Sequence, residues 1–221
     1  MTSTAQPDVP GIDRHHLLVV GARDIRRLTD LARDLHTTGA IVDTVAADAS
    51  DPEGFQAALS SVYAAGSAPG LMVYNAVLAA PDTLLESDIS HLQRAYNVDV
   101  VSAIVAAQVA AEAMRTAGGG TILFTGGGFA DRPVASMATV SLGKGALRSA
   151  ATMLGDELAS RAVRVASITV AGIIAEDTPF SPARIADAYW TIARPDGSWQ
   201  SEFRFHQQGT SPARNTGCRL G

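Results

Sequence analysis

Short apolar runs alternate with longer amphipathic stretches along most of this chain. The first run, residues 16–21, reads His-Leu-Leu-Val-Val-Gly and has the length and character of a buried strand. Apolar residues then recur at helical spacing on one face, at Ile25, Leu28, Leu31 and Leu35. Further strands are predicted over residues 41–47, 71–75, 120–125, 163–170 and 202–205. Helices are predicted between them, from Ser50 onward and over about residues 88–116, 139–160 and 182–193.

This alternation of strands and helices predicts an α/β fold. Units of this length build a doubly wound parallel sheet with helices on both faces, a Rossmann-like arrangement. The chain has no internal repeat and no linker, so residues 15–205 are predicted to form a single domain. Residues 1–14 are predicted to be a flexible arm, and residues 206–221 a disordered tail.

Composition narrows the classes of function. Of the 221 residues, 47% are hydrophobic and 18% are charged, as in a globular chain with a sizeable core. The net charge is −5 and the basic residues form no stripe, which argues against nucleic-acid binding. Cys218 is the only cysteine, which excludes an intrachain disulfide and a multi-cysteine zinc site, and no metal is predicted.

The same sequence predicts a cytoplasmic protein that does not bind membranes. No apolar run approaches the ~20 residues that span a bilayer. The first residues also lack the basic and apolar regions of a secretory signal.

Five short motifs follow the predicted strands or lie in a predicted helix. They read Gly21-Ala22-Arg23-Asp24, Ala47-Asp48-Ala49-Ser50-Asp51, Tyr74-Asn75-Ala76-Val77, Tyr96-Asn97-Val98 and Val170-Ala171-Gly172-Ile173. Together with Lys144, they resemble in order and register the motifs of the short-chain dehydrogenase/reductase (SDR) family over about residues 16–205. Each motif is weak alone, and the resemblance rests on their common order.

The resemblance implies an oxidoreductase that uses NADP or NAD to interconvert carbonyls and alcohols of a small-molecule substrate. It assigns cofactor binding to Gly21, Arg23, Asp48, Ala49, Asn75, Ala76, Lys144 and Gly172. In the family, an arginine at the position of Arg23 often takes the adenosine phosphate of NADP, and the aspartate motif contacts the adenine. The lysine also holds the nicotinamide ribose, and the asparagine at Asn97 holds a water of a proton relay.

Two catalytic positions depart from the family's pattern. The family's Tyr-x-x-x-Lys pair lies on one helix face, where the lysine lowers the pKa of the phenol and lets it pass a proton to a carbonyl oxygen. Here Lys144 is present, but Val140 stands at the tyrosine position and has no proton to give. Gly127, 13 residues before Val140, stands at the position of the family's serine. Asn97 and Lys144 are therefore the remaining candidate catalytic residues.

The family's opening strand and its Thr-Gly-x-x-x-Gly-x-Gly loop do not occur in this sequence. That loop closes on the cofactor pyrophosphate at a helix N-terminus, so cofactor binding is expected to be weak or absent. The chain is expected to be an N-terminally truncated member, unless the loop is encoded upstream. Without the central strand, the predicted strand order is second, first, third, fourth, fifth and sixth.

Several residues keep two interpretations. Arg23 either binds a 2′-phosphate or is a solvated arginine, and Lys144 either binds the ribose or lies on the surface of its helix. The run Gly126-Gly127-Gly128 forms either a nest of N–H groups or a flexible loop. The aromatic residues on the family's substrate side, or else in the core, are Tyr189, Trp190 and Trp199.

The alanines of two predicted helices also have two interpretations. They are Ala106, Ala107, Ala110, Ala111 and Ala113 in one helix, and Ala146, Ala150 and Ala151 in the other. In the family these helices pack against their copies in a partner subunit, which favours a homo-oligomer. The alternative is packing inside the chain.

Three hypotheses for function follow. The first is an SDR-like oxidoreductase with an incomplete cofactor site and without the usual tyrosine and serine. The second is a non-catalytic protein that acts by forming an oligomer or binding a partner. The third is a lyase, isomerase or cyclase that reuses the pocket without hydride transfer.

Overall fold

The computed structural model describes residues 16–21, 25–65, 68–194, 199–207 and 209–212. The described strands are β1 (His16–Gly21), β2 (Ile41–Ala46), β3 (Leu71–Tyr74), β4 (Gly120–Gly127), β5 (Val163–Val170), β6 (Glu202–His206) and β7 (Gly209–Pro212). The described α-helices are α1 (Ile25–His36), α2 (Pro52–Ala65), α3 (Ile89–Tyr96), α4 (Ser102–Thr116), α5 (Ala138–Leu158) and α6 (Pro182–Ala193). A π-helical turn, Asn97–Val101, joins α3 to α4.

The strands form two sheets among the described residues. β1 pairs in parallel with β2, and a five-stranded sheet has the order β3-β4-β5-β6-β7. The ladders from β3 to β6 are parallel, and β7 is antiparallel to β6. Helices connect the parallel strands, as parallel ladders require. The predicted Rossmann-like α/β fold is therefore confirmed.

The predicted pairing of β1 with β3 is wrong. In the described strands, β1 pairs only with β2, and β3 only with β4. The loop after β2 is instead tied to the long helix: Asn97 Nδ2 donates to Ser50 O at 3.1 Å and Ser102 Oγ donates to Ala49 O at 2.8 Å. These bonds hold the β1–β2 pair through α4, so its position does not require a shared ladder with β3.

A strand lies within the segment 206–221, which the sequence assigned to a disordered tail. β7 pairs with β6 from Gly209 to Pro212, and Gly209 has a φ of +116°, which glycine adopts readily. The strand Gly-Thr-Ser-Pro has no apolar alternation, so the periodicity of the sequence does not reveal it.

The core has two parts, one on each face of the five-stranded sheet. On one face, α2, α4 and α5 pack over β3, β4 and β5, and Phe124, Met114 and Leu147 are almost fully buried. On the other face, α6 packs over β4, β5 and β6 through Ile185, Tyr189 and other apolar side chains. β4 and β5 are buried along nearly their whole length, as expected for parallel strands covered on both faces.

The longest helical stretch, Ile89–Thr116, combines α3, the π-helical turn and α4. By length and composition it could cross a membrane, which inspection of the sequence did not anticipate. Half of its apolar window is buried inside the structure. Asp88 caps its start by accepting from the His91 backbone N–H at 2.7 Å.

Most of the small residues on α4 and α5 face the interior of the chain. The buried ones are Ala106, Ala107, Ala110, Ala111, Ala150 and Ala151. They let α4 and α5 approach the sheet closely, so internal packing accounts for their size. The homo-oligomer stays a prediction that these alanines no longer support.

Replacing Ala107 with leucine is expected to lower the free energy of unfolding by about 1–3 kcal/mol, because a fully buried contact has no room for the added atoms. Urea unfolding followed by circular dichroism measures the change. Ala113→Leu is the matched control: Ala113 is half-buried and borders a groove between α2 and α4, so its effect should stay within about 0.5 kcal/mol. An A107L protein that unfolds like its parent but loses subunits in size-exclusion chromatography would instead place this face in an oligomer interface.

Candidate functional site

The candidate site lies at the carboxyl ends of β3, β4 and β5, beside the first turns of α5. Parallel strands place the loops that follow them at one edge of the sheet, where α/β proteins bind ligands. Gly127 ends β4, and Lys144 lies in the second turn of α5. A Cβ on Gly127 would lie 3.7 Å from Lys144 Cγ, so the structure brings these two predicted positions into contact.

Lys144 is buried, with 8% of its surface exposed. Its Nζ donates to the backbone oxygen of Thr125 on β4 at 2.7 Å. Burial lowers the pKa of Lys144 from its ordinary value, and the nearby negative charge of Asp99 opposes that shift. The interpretation of Lys144 as a surface residue is therefore wrong. It is also the only lysine in a chain with 16 arginines, so the one ammonium side chain is placed at this site.

The two substituted positions do not supply a hydroxyl. Val140 is 3% exposed and packs one turn before Lys144 on α5. Gly127 has an extended backbone, with φ −160° and ψ 158°, and a Cβ there would make only ordinary contacts. Space for a serine side chain therefore exists at position 127, and its absence is not a steric requirement.

The glycine run forms neither of the two predicted structures. β4 continues through Gly126 and Gly127, and Gly128–Ala130 forms a 3₁₀ turn. Extended residues direct successive N–H groups to opposite sides, so these glycines do not make an anion nest. Gly126 instead permits close approach of the strands, since a Cβ there would lie 3.1 Å from Ile168 O.

Asn97 makes a hydrogen bond across the structure. Its amide joins the π-helical turn to the loop after β2 through the hydrogen bond to Ser50 O. The acidic residue two positions later, Asp99, is the group of this turn that interacts electrostatically with Lys144. Asn97 thus has a structural contact, and its role in a proton relay stays a prediction.

Asp99 is a site residue that sequence reasoning missed. It is 3% exposed, and its Oδ1 accepts from the Leu78 N–H at 2.8 Å in the loop after β3. Its Oδ2 has no hydrogen-bond partner among the described residues. Burial raises the pKa of Asp99 to about 6, although the Leu78 N–H and the Lys144 charge oppose the rise. The available signal was an acid inside the apolar run Val98-Asp99-Val100-Val101.

Gly143 makes room for the Asp99 carboxyl. A Cβ on Gly143 would lie 2.7 Å from Asp99 Cβ and 2.8 Å from Oδ2, closer than real side chains pack. Gly143 directly precedes Lys144, so the contact holds the lysine-bearing turn of α5 against the π-helical turn.

A second carboxylate, Asp82, holds the start of α5. It accepts from the Thr139 N–H at 3.2 Å, from the Thr139 hydroxyl, and interacts with His91 Nε2 at 2.9 Å. Burial raises the pKa of Asp82, but these hydrogen bonds outweigh it and the net shift is downward. Asp82 therefore caps a helix that has no capping side chain of its own.

The hydroxyl groups near Lys144 are engaged in other contacts. Thr139 donates to Asp82, and Ser141 Oγ donates to Met137 O at 2.8 Å. Thr125 Oγ1 lies 2.6 Å from the Tyr189 hydroxyl, in a buried contact on the α6 side of the sheet. Tyr189 is part of the core on that side of the sheet, and burial raises its pKa to about 12. Trp199 lies half-buried against Phe203 and Arg164.

The predicted cofactor residues differ in how exposed they are and in which contacts they make. Asn75 and Ala76 are exposed directly after β3, as a ligand contact requires. Asp48 accepts from the Ser50 N–H at 2.9 Å, and Ala49 is tied to Ser102, so the loop after β2 is ordered by the chain itself.

The remaining cofactor positions are less informative. Gly172 lies against the Phe180 ring, and a Cβ there would require the ring to move, since it would lie 2.4 Å from it. Gly21 pairs through its backbone with Ala46, and Arg23 lies outside the described residues, as does Cys218. Within the part of the chain that the structure describes, no three His, Cys, Asp or Glu residues group as a metal site.

Gly143→Ala is expected to lower the free energy of unfolding by about 1–3 kcal/mol, because its Cβ would collide with Asp99. The control is Gly145→Ala on the same helix, whose Cβ meets nothing within 4 Å and which should stabilise the helix by about 0.5–1 kcal/mol. Urea unfolding measures both. Asp99→Gly removes both the Cβ and the carboxyl that the new methyl would meet, so it should destabilise the G143A protein less than it destabilises the parent; equal losses in the two backgrounds would contradict the contact.

The single lysine allows its pKa to be followed directly. In protein labelled with ¹³C-lysine, the Lys144 Cε signal should titrate below the usual pH range of lysine, because burial disfavours the ammonium. Asp99→Asn should lower this pKa further, since it removes the negative charge that supports the ammonium. An ordinary titration that D99N leaves unchanged would rule out the electrostatic contact between Asp99 and Lys144.

Comparison of the sequence with known proteins found two similarities. A family model described as short chain dehydrogenase matches residues 13–183. A protein from Streptomyces coelicolor, described as an uncharacterized oxidoreductase in the mprA 5′ region, is 29% identical over 177 residues, which cover 80% of this chain and 70% of that protein.

Solved structures share the fold. A short-chain dehydrogenase from Rhodopseudomonas palustris has a TM-score of 0.74 at 22% identity, covering 86% of this chain and 85% of that one. L-sorbose reductase from Gluconobacter frateurii, complexed with NADPH and L-sorbose, has a TM-score of 0.68 at 28% identity, covering 83% and 68%. A metagenomic short-chain oxidoreductase in complex with NADP reaches 0.75 at 24% identity, covering 84% and 82%. The family match spans most of the sequence, and the chain belongs to the short-chain dehydrogenase family.

Proposed function

We propose that this chain is an oxidoreductase homologue that binds NADP or NAD but does not use the family's tyrosine and serine for proton transfer. The observation that carries the proposal is the buried Lys144 ammonium, held at the end of β4 with Val140 and Gly127 beside it. The L-sorbose reductase and the metagenomic oxidoreductase among its structural relatives were solved with NADPH and NADP. The sequence further predicts a small-molecule substrate and a cytoplasmic location.

Lys144 fits a role in holding the nicotinamide ribose. A lysine ammonium has three N–H donors, and one of them is used by Thr125 O. The others are available to ribose hydroxyls at the edge of the sheet. The exposed Asn75 and Ala76 border the same edge, and Asp48 and Ala49 are proposed to contact the adenine. Gly21, Gly172 and Arg23 complete the proposed cofactor site.

The bound nicotinamide would supply or accept the hydride. The chain must then move a proton at the substrate oxygen, and Val140 and Gly127 have no group for that step. General acid–base participation is typically worth about 100- to 10,000-fold in rate. We therefore expect carbonyl reduction that is slower by that factor than reduction by a tyrosine-containing relative.

A non-catalytic role is the second candidate. Its supporting observation is an apolar surface between β3 and α3, where Leu84, Leu85 and Ile89 are 55%, 99% and 74% exposed. Exposed apolar clusters of this kind often mark protein interfaces. This role predicts a stable oligomer or complex with no cofactor binding and no turnover.

Titration of NADPH and NADH against the purified protein distinguishes these roles. Nicotinamide fluorescence should change with saturation in the millimolar range, as expected for a site without the glycine loop. Lys144→Met should weaken binding about tenfold, because it removes charged hydrogen bonds to the ribose. Lys144→Arg is the matched control that keeps the charge and should bind more tightly than K144M.

No fluorescence change at millimolar NADPH would contradict a retained cofactor site and favour the non-catalytic role. Fast ketone reduction at a rate typical of tyrosine-containing relatives would instead contradict the loss of the usual proton route.

A further inference from the structure

A cleft of about 520 Å³ opens beyond the carboxyl ends of β4 and β5, alongside β6. Its lining residues are Gly128, Asp131, Arg132, Ala171 and Arg204. None of them belongs to the proposed cofactor residues. Three of the five carry a charge, which is a high proportion for a chain in which 18% of residues are charged. The cleft is therefore lined mainly by charged residues that are distinct from the proposed cofactor residues.

Ion pairs fix the carboxylate that lines this cleft. Asp131 Oδ1 lies 2.8 Å from Arg148 Nη2, and Oδ2 lies 2.5 Å from Arg204 Nη2. Burial raises the pKa of Asp131, but the hydrogen bonds from Arg204 and Arg148 outweigh it and the net shift is downward. Asp131 is thus a stable anion whose two oxygens are both occupied by guanidinium groups.

A second acid neutralises Arg148. Its Nε lies 3.0 Å from Glu202 Oε1, in an ion pair whose alignment is too bent for a hydrogen bond. Glu202 also accepts from Thr169 Oγ1 at 3.0 Å. Arg148 is thereby held between two carboxylates, one of which, Asp131, lines the cleft.

Arg132 adds a positive charge that this network does not balance. Three guanidinium groups, of Arg132, Arg148 and Arg204, face two carboxylates. Within the described ranges, the exposed Arg132 side chain makes no ion pair, and its backbone N–H donates to Gly128 O at 3.1 Å. This backbone hydrogen bond fixes the position of the Arg132 main chain, while the N–H donors of its planar guanidinium group remain free for a ligand.

The cleft adjoins the Lys144 site. Gly128 lines the cleft, and Gly127, the preceding residue, lies against the Lys144 side chain. A Cβ on Gly128 would meet nothing within 4 Å, so the floor between the two regions is open. The cleft and the Lys144 side chain therefore border consecutive residues at the end of β4.

We propose that this cleft binds the anionic group of the substrate, a carboxylate or a phosphate, with Arg132 as the principal contact and Arg204 as a second. Arginine pairs with both groups through two parallel hydrogen bonds. Asp131 acts as a positioning residue that holds Arg204 in place. That the bound anion belongs to the substrate rests on the proposed oxidoreductase function, whereas binding of an anion in the cleft does not.

Binding is tested on the full chain without nicotinamide, so the outcome is independent of cofactor binding. Succinate and inorganic phosphate are titrated at low salt, with succinamide as the neutral analogue, and the Cε signal of ¹³C-labelled Lys144 is followed. Saturable shifts are expected with the anions and not with succinamide. The tighter of the two anions identifies the group.

Arg132→Gln is expected to weaken anion binding about tenfold, because a charge-assisted hydrogen bond is lost. Arg161→Gln is the matched control: Arg161 is exposed and precedes β5, at the opposite end of the strand from the cleft, so binding should be unchanged. Equal weakening in R132Q and R161Q would reduce the effect to general charge and overturn the proposal. The proposal would also be overturned if neither succinate nor phosphate saturated the protein at concentrations up to about 10 mM.

Discussion

The hydrogen bond from Lys144 Nζ to Thr125 O is the interaction on which the site depends. A buried ammonium is costly unless its donors are satisfied and a counter-charge is near. Thr125 O supplies an acceptor at the end of β4, and Asp99 supplies the negative charge. Because Lys144 must lie near both Thr125 O and Asp99, α5 is held against the sheet and against the π-helical turn. Gly143 is then required, because a side chain there would occupy the space of the carboxyl.

Other polar groups of the site are held by hydrogen bonds within the chain. The polar groups around Lys144 serve packing: Asn97 joins the loop after β2, Asp82 caps α5, and Thr125 contacts Tyr189. A site in which polar groups are committed to structural bonds has few left to move a proton. At Gly127, a Cβ would make only ordinary contacts, so the structure has space for a larger side chain there.

The sequence predicted the elements whose signal is local. β3, β5, β6, α4 and α6 lie close to their predicted ranges, because buried parallel strands and amphipathic helices have distinct periods. The order of the motifs was sufficient to predict the family. The pairing of β1 was predicted wrongly, since ladder partners depend on contacts such as Ser102 with Ala49 that are far apart in sequence. β7 was missed because pairing with β6, and not its own composition, makes it a strand.

Site residues divide in the same way. Lys144, Gly127 and Val140 could be found by spacing alone, whereas Asp99 could not. Its importance comes from a turn of π-helix that directs it to Gly143 and from a hydrogen bond to Leu78, both of which exist only in the folded chain. The burial of Lys144 could not be predicted either, because the sequence of its helix does not distinguish an exposed lysine from a buried one.

The enclosure of the only lysine makes its amine a reporter of local opening. In the folded chain, only 8% of Lys144 is exposed and its amine donates to Thr125 O, so an acylating reagent reacts with it mainly when α5 and β4 separate. The rate of lysine acylation then measures how often this joint opens, without interference from another lysine side chain. A ligand that bridges α5 and β4 would slow that rate, whatever reaction the site carries out.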